Sequence, residues 1–300
     1  MSYWKSFGLS IFAAVGLLGE TAGSAHATQC VPSTFGIAGC ATEWSGGSVV
    51  NLGGLPGSNL GSLAQGINDA GQVVGSSTVG NDVATEWSGG SVTNLGGLPG
   101  SKSSQAFSVN NAGQVVGWSV FGGNAVATEW NGDTVINLGG LPGFAGSFAN
   151  GINNAGQAVG WSAVGGNAAA TEWSGGSIID LGNLSGFTGS FAQSINDAGQ
   201  VVGVSDVAGN IQVATEWSGG SVTNLGGLPG STSSQAFSVN NAGQVVGPAP
   251  STGSRSRRSG ATAASSAWGA SRTRRVAKPS ASTTRGRWWD GALSAATRSP

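Results

Sequence analysis

A unit of about 43 residues, repeated along most of the chain, constrains the fold more than any other feature of the sequence. Its tryptophan recurs at nearly constant spacing as Trp44, Trp87, Trp130, Trp173 and Trp217. Its asparagine recurs in step as Asn68, Asn110, Asn153, Asn196 and Asn240. A fixed period between about 20 and 50 residues is typical of propellers, solenoids and other repeat arrays. The repeat, rather than the length of 300 residues, therefore decides the architecture.

One copy of the unit predicts four short β-strands. In the second copy they are Val83–Trp87, Val92–Leu95, Gln105–Asn110 and Gln114–Ser119. The third segment alternates in the period of two expected of a strand, and Gly-rich turns separate the segments. Four strands in about 43 residues match a β-propeller blade. The sequence thus predicts an all-β chain, a propeller of five intact blades that forms a complete or incomplete ring, with another stacked-β or solenoid array as the alternative.

The apolar positions of the unit predict packing between neighbouring sheets, because Trp, Leu and Val or Ile recur at fixed offsets. An alanine recurs too, and it suits a place where two sheets approach closely; its copies are Ala64, Ala106, Ala149, Ala192 and Ala236. Glycine accounts for 55 residues, which excludes a protein of long helices since each helical Gly costs roughly 1 kcal/mol relative to Ala.

The unit resembles the bacterial extracellular repeats called the HAF family. The resemblance covers residues 41–247, and the sequence Ile-Asn-Asp-Ala-Gly-Gln-Val-Val-Gly at 67–75 is its most specific part. It implies secretion and a repeated β architecture. It brings no catalytic residues to this chain.

The N-terminus predicts an export signal over residues 1–27. Lys5 precedes an apolar run, Phe7–Gly19, and Ala25-His26-Ala27 supplies a small-x-small cleavage site. The run has 13 residues, short of the roughly 20 that span a membrane, so we expect cleavage after Ala27 and no transmembrane segment in the mature chain, with an uncleaved anchor as the alternative. The protein is then secreted, periplasmic or held at the cell surface.

Two cysteines, Cys30 and Cys40, lie in the segment 28–40 that follows the signal. In an oxidising compartment such a pair predicts a disulfide that pins the first strand. The other interpretation, a redox pair, lacks the Cys-x-x-Cys spacing.

Five repeats and a tail follow. The repeats are residues 41–83, 84–126, 127–169, 170–213 and 214–247, and the tail is 248–300. From residue 28 to 248 the chain has 11 acidic residues and one basic residue, whereas from residue 249 onward ten Arg or Lys face one Asp. We expect this tail to be disordered, because it is low in aliphatic residues and high in charge. Its clustered Arg is typical of a basic arm that binds nucleic acid or anionic lipid, and the alternative is a tail without a selected function.

The tail reads as a sixth repeat in a shifted reading frame. Codons for Ala-Thr-Glu-Trp-Ser-Asp-Gly-Ser-Val-Ile, read one base later, can encode residues 257–265. Codons for Ile-Asn-Asp-Ala-Gly-Gln-Val-Val-Gly-Trp-Ser, shifted likewise, can encode residues 282–291. Both matches fall one period after the fifth repeat. We therefore expect no nucleic-acid partner, and an array that either closes with five units or leaves open sheet edges through which copies can associate.

Candidate site chemistry is sparse. The only histidine, His26, lies in the predicted signal, which removes the usual general base from the mature chain. A repeated glutamate precedes each tryptophan: Glu43, Glu86, Glu129, Glu172 and Glu216. A ring of these carboxylates could hold a cation such as Ca²⁺, although hydrogen bonds to neighbouring groups are the simpler interpretation. The Asn or Asp after each repeat asparagine reads as a turn former. We expect no cofactor.

These features favour a non-catalytic binding or structural scaffold for an unknown extracellular ligand or protein. Four phenylalanines break the symmetry of two adjacent repeats and mark a candidate interaction surface: Phe144, Phe148, Phe187 and Phe191. Their other interpretation is packing between two blades. The alternative function is an exported propeller enzyme of the carboxylate-dependent type, such as a glycosidase or lyase.

Overall fold

The computed structural model describes residues 39–58, 60–164, 166–207 and 211–250. Within them the chain forms strands and turns and no helix. The strands are β1 (Ala41–Ser45), β2 (Ser48–Gly53), β3 (Ser62–Ile67), β4 (Val73–Val79), β5 (Asn81–Ser88), β6 (Ser91–Gly96), β7 (Ser104–Val109), β8 (Val115–Phe121), β9 (Asn124–Asn131), β10 (Thr134–Gly139), β11 (Phe144–Ile152), β12 (Ala158–Val164), β13 (Asn167–Ser174), β14 (Ser177–Asp180), β15 (Gly189–Ile195), β16 (Val201–Val207), β17 (Ile211–Ser218), β18 (Ser221–Gly226), β19 (Ser238–Val239) and β20 (Val245–Val246).

These strands build four antiparallel sheets in tandem, each with its four strands in chain order. Sheet 1 is β3–β6, sheet 2 is β7–β10, sheet 3 is β11–β14 and sheet 4 is β15–β18. Two half-sheets flank them: β1–β2 on the N-terminal side and β19–β20 on the C-terminal side. The prediction of an all-β array of tandem four-stranded units is confirmed. The four strands predicted in the second repeat match β5–β8 to within about two residues.

The sheets are out of phase with the repeats delimited in the sequence. Each sequence unit begins at the strand that carries Trp, which is the third strand of a sheet. A unit therefore supplies the last two strands of one sheet and the first two of the next. As a result the five units give four complete sheets and two half-sheets, rather than five complete blades.

Asparagine and glycine set the turn between the first two strands of each sheet. In sheet 2, the Oδ1 atom of Asn110 accepts hydrogen bonds from the backbone of Ala112 and Gln114. Gly113 closes this turn with φ +80°, in the left-handed region that glycine occupies without strain. The glycine of Val-Val-Gly has a different role. A Cβ at Gly117 would overlap the carbonyl oxygen of Gln105, where β7 carries a bulge.

The core lies between successive sheets. Around Trp130 of sheet 2 pack Val74 and Ala84 from sheet 1 and Val109 and Val115 from sheet 2 itself. Equivalent clusters surround Trp173 and Trp217, as the apolar positions of the repeat predict. The repeat alanines are fully buried at the three central copies, Ala106, Ala149 and Ala192.

A ladder of asparagines joins each repeat to the next. The Nδ2 atoms of Asn68, Asn110, Asn153 and Asn196 each donate to the backbone carbonyl of the following repeat asparagine. The neighbouring turn residues form a second, exposed ladder in which each side chain accepts from the preceding turn. Hydrogen bonds from Asn154 and Asn241 hold the pKa of Asp197 below its ordinary value. These residues form turns, as predicted, and also connect them.

Several predictions fall on other parts of the chain. The export signal, Cys30 and the basic tail after residue 250 lie outside the described residues, so the Cys30–Cys40 disulfide stays a prediction. No helix long and apolar enough to cross a membrane occurs in the described ranges.

Candidate functional site

Four aromatic side chains from three successive sheets form a continuous row, here called the aromatic row: Trp118, Phe148, Trp161 and Phe191. The rings of Phe148 and Trp161 stack with centroids 4.4 Å apart and planes 17° apart. Trp118 meets Phe148 edge-on at 6.0 Å, and Phe191 meets Trp161 edge-on at 5.3 Å. These distances lie within the range in which aromatic pairs attract each other.

The sheet register fixes the positions of these rings. Phe148 and Trp161 are directly opposite each other on β11 and β12, so their side chains share one face. Trp118 occupies the same place as Trp161 on β8, and Phe191 the same place as Phe148 on β15. Each of the four side chains is half-buried, so each presents part of its ring to solvent.

The row is confined to the middle of the array because other repeats carry different residues at these positions. The position of Phe148 and Phe191 holds Leu63, Gln105 and Gln235 elsewhere, and that of the two tryptophans holds Ser76, Val204 and Pro248. The residue that lies next to the Phe148 position, on the third strand of the preceding sheet, changes as well. Gln105 donates to Asp82 and Gln235 to Gln212, whereas Ala125 and Ala168 occupy that place beside the phenylalanines.

The structure therefore brings together two of the four phenylalanines chosen from sequence. Phe144 is instead the first residue of β11, opposite Val164, and Phe187 lies just before β15. Their backbone nitrogens donate to Leu141 and Leu184, each 3.0 Å away. Both rings are half-buried.

Sequence reasoning missed the two tryptophans of the row. Trp118 and Trp161 directly follow the Val-Gly of the second strand in two adjacent repeats. The sequence carried a signal, since only these two repeats have an aromatic residue there. Their contact with the phenylalanines depends on pairing between strands, which the repeat spacing alone does not give.

The repeated glutamates have local partners. Glu86, Glu129 and Glu172 accept hydrogen bonds from Gln72, Gln114 and Gln157 of the same sheets, at 3.2, 3.0 and 2.9 Å. Glu43 and Glu216 occupy the equivalent positions on β1 and β17. Across the described ranges, no three His, Cys, Asp or Glu side chains gather closely enough to hold a metal ion. The structure thus supports the hydrogen-bonding interpretation of these glutamates.

A cleft of about 190 Å³ beside sheets 3 and 4 contains one carboxylate, that of Asp180, with Asn167 and Thr188 among the other lining residues. Glycosidases of the common type need a pair of carboxylates on opposite sides of the scissile bond. The pKa of Asp206 is raised, because partial burial disfavours its charged form. It belongs to the second strand of sheet 4 and is absent from the lining of this cleft.

Comparisons with known proteins show a likeness to solved structures. No family model and no curated protein matches the chain. Among solved structures, the chain is similar to TolB from Acinetobacter baumannii, with 15% sequence identity and a TM-score of 0.43. The match covers 55% of this chain and 43% of the TolB chain. The fold assignment rests on the sheet topology given above.

Proposed function

We propose that this protein is an exported, non-catalytic binding scaffold, similar to HAF repeat proteins, whose aromatic row contacts an extracellular partner. The observation that carries the proposal is the row itself: four half-buried rings, in contact with one another, at the positions where the repeats lose their symmetry. The export part rests on the sequence of residues 1–27.

The chemistry of the row favours an apolar, aromatic-containing segment of a partner protein. Trp and other large aromatic side chains dominate the energetics of protein interfaces because they bury much apolar area at a small entropic cost. No member of the row is charged. Because the rings project from paired strands, the surface is already ordered before a partner binds, which lowers the cost of association.

A carboxylate-dependent enzyme has less support. The cleft beside sheets 3 and 4 offers the single carboxylate of Asp180 among its described lining residues. Glu86, Glu129 and Glu172 accept hydrogen bonds from glutamines of their own sheets. Such glutamates serve as structural acceptors within their sheets.

A peptide selection tests the proposal with variants that the repeat itself makes compatible with folding. The full chain is immobilised, and a phage-displayed library of random peptides is selected on it. Binders are then measured against Phe148→Gln and Trp161→Ser, which introduce residues found at the same positions in other repeats, namely Gln105 and Ser76. Phe121→Ser is the matched control because Phe121 is an exposed aromatic outside the row.

We expect the selected peptides to be rich in aromatic residues and to lose at least about tenfold in affinity on either row variant. Truncation of a hot-spot side chain costs about 2 kcal/mol or more, which exceeds the roughly 1.4 kcal/mol of a tenfold change. The control should bind like the wild type. Peptides that bind all three variants equally would contradict the assignment of the row as the contact surface.

A further inference from the structure

The two half-sheets are complementary parts of one four-stranded sheet. The N-terminal half-sheet, β1–β2, corresponds to the third and fourth strands of a complete sheet, since it carries the Ala-Thr-Glu-Trp sequence. The C-terminal half-sheet, β19–β20, corresponds to the first and second strands, since it carries Val-Val-Gly. In the structure they form two separate sheets.

The C-terminal half-sheet contributes to a core cluster that lacks its tryptophan. The complete cluster between sheets 1 and 2 contains Trp130, which is 2% exposed. The corresponding cluster at the C-terminal end contains Val202, Val239 and Val245, and no Trp from the described part of the chain. The missing member corresponds to Trp44 on the N-terminal half-sheet, which is 75% exposed.

The N-terminal end shows the reverse deficit. Its cluster contains Trp87 and Val73, but among the described residues it has no counterpart of the valine that the preceding second strand supplies elsewhere. In the cluster around Trp130 that valine is Val74, which is fully buried. The matching residue of the C-terminal half-sheet, Val246, is 63% exposed. Each end therefore exposes the apolar side chain that the other end lacks.

The backbone edges also match. The carbonyls of Val246 and Pro248 accept hydrogen bonds from Phe237 and Gln235, so their peptide groups face the first strand. Because peptide groups alternate along a strand, those of Val245 and Gly247 face the opposite edge, which pairs with no strand between residues 39 and 250. Pro248 lacks an N–H but has its ring nitrogen on the side of the first strand, so it leaves that edge intact.

We propose that a second copy of the chain completes the sheet, with the N-terminal half-sheet of one copy pairing with the C-terminal half-sheet of the next. The expected register places Val245 opposite Trp44 and Gly247 opposite Thr42, as Val73 is opposite Trp87 and Gly75 opposite Thr85 in sheet 1. The contact is head-to-tail, so it leaves one half-sheet available at each end of a dimer and continues into longer assemblies or rings. It covers two sheet edges that no other described strand pairs with.

A complementation experiment tests this contact on the full chain. Trp44→Ser removes the apolar side chain from one end, and Val246→Asp places a charge at the other end. Both residues are exposed in the single chain, so circular dichroism should show both variants folded. Ile136→Ser, in the outer strand of sheet 2, is the matched control for loss of an exposed apolar residue. Analytical ultracentrifugation over a wide concentration range gives the mass of each protein and of mixtures.

The wild type and the control should associate as concentration rises. Trp44→Ser should weaken association at least about 30-fold, as expected for a buried interface tryptophan, and Val246→Asp should do so as well. An equimolar mixture of the two variants should form a dimer and stop there, because each contributes one intact end. A wild type that stays monomeric would overturn the proposal, whether the chain closes on itself or another segment covers the ends. A mixture that stays monomeric while the wild type associates would place the contact elsewhere.

Discussion

Replacement of a repeat tryptophan by alanine should have very different consequences in the middle of the array and at its N-terminal end. Trp130 contacts residues of sheets 1 and 2, including Val74, Ala84 and Val115, and is almost fully buried. Trp44 has the same sequence context but is 75% exposed. The pair therefore separates the effect of burial from that of local sequence.

The magnitude follows from packing alone. The buried indole nitrogen of Trp130 makes no hydrogen bond in the structure, so Trp130→Ala deletes apolar contacts and leaves a cavity. Such Trp→Ala changes cost about 3–5 kcal/mol of unfolding free energy. Trp44→Ala in the monomeric protein should cost no more than about 0.5 kcal/mol, as is usual for exposed sites.

Urea unfolding, followed by circular dichroism on dilute protein, measures both changes. Dilution matters because association of the ends would stabilise the wild type at Trp44 and inflate the apparent cost there. Trp173→Ala is a second interior substitution that should resemble Trp130→Ala. Equal losses at Trp44 and Trp130 in dilute solution would refute the inference that packing between sheets, rather than the repeat sequence itself, stabilises this fold.

Two further predictions concern polar groups. Asn153→Ala should lower the unfolding free energy by about 1–3 kcal/mol, because Asn153 donates to the next repeat and accepts from two backbone N–H groups. Asn240 is exposed and has no following repeat asparagine among the described residues, so Asn240→Ala should cost less. Equal costs at the two positions would argue against the asparagine ladder. Asp206→Asn tests the raised pKa of Asp206, because the folded state holds the carboxyl proton more tightly than the unfolded state. The wild type should therefore lose stability relative to the variant as pH rises from about 3 to about 6, as measured by urea unfolding. A stability difference that stayed constant or changed in the opposite direction would contradict this prediction.

The repeat sequence contained most of the fold. The spacing of Trp and Asn predicted tandem units, and the turn glycines predicted four strands in each. These features are local, since a turn at Gly113 or a strand at 105–110 depends mainly on residues within one unit. The offset between the sequence units and the sheets was not a local feature. The choice of which two strands of a unit join which sheet depends on pairing across unit boundaries, and a periodic sequence fits either assignment equally well.

The candidate site divides in the same way. Phe148 and Phe191 could be selected from sequence because they depart from the repeat, but so do Phe144, at the start of β11, and Phe187, before β15, which lie outside the row. The stacking of Phe148 on Trp161 comes from the register of β11 and β12. A side chain's neighbours across a sheet are set by that register, and a shift of one residue would place the two rings on opposite faces.

The sequence by itself determined that this chain is a series of like β units, because one unit cannot bury its own apolar face and identical neighbours supply the cover. Only the tertiary structure decided which copies receive that cover. Trp87, Trp130, Trp173 and Trp217 are buried and Trp44 is exposed, although all five share one motif. The reason is physical: burial belongs to the contact between two sheets, and a repeated sequence does not specify where the series of contacts is interrupted.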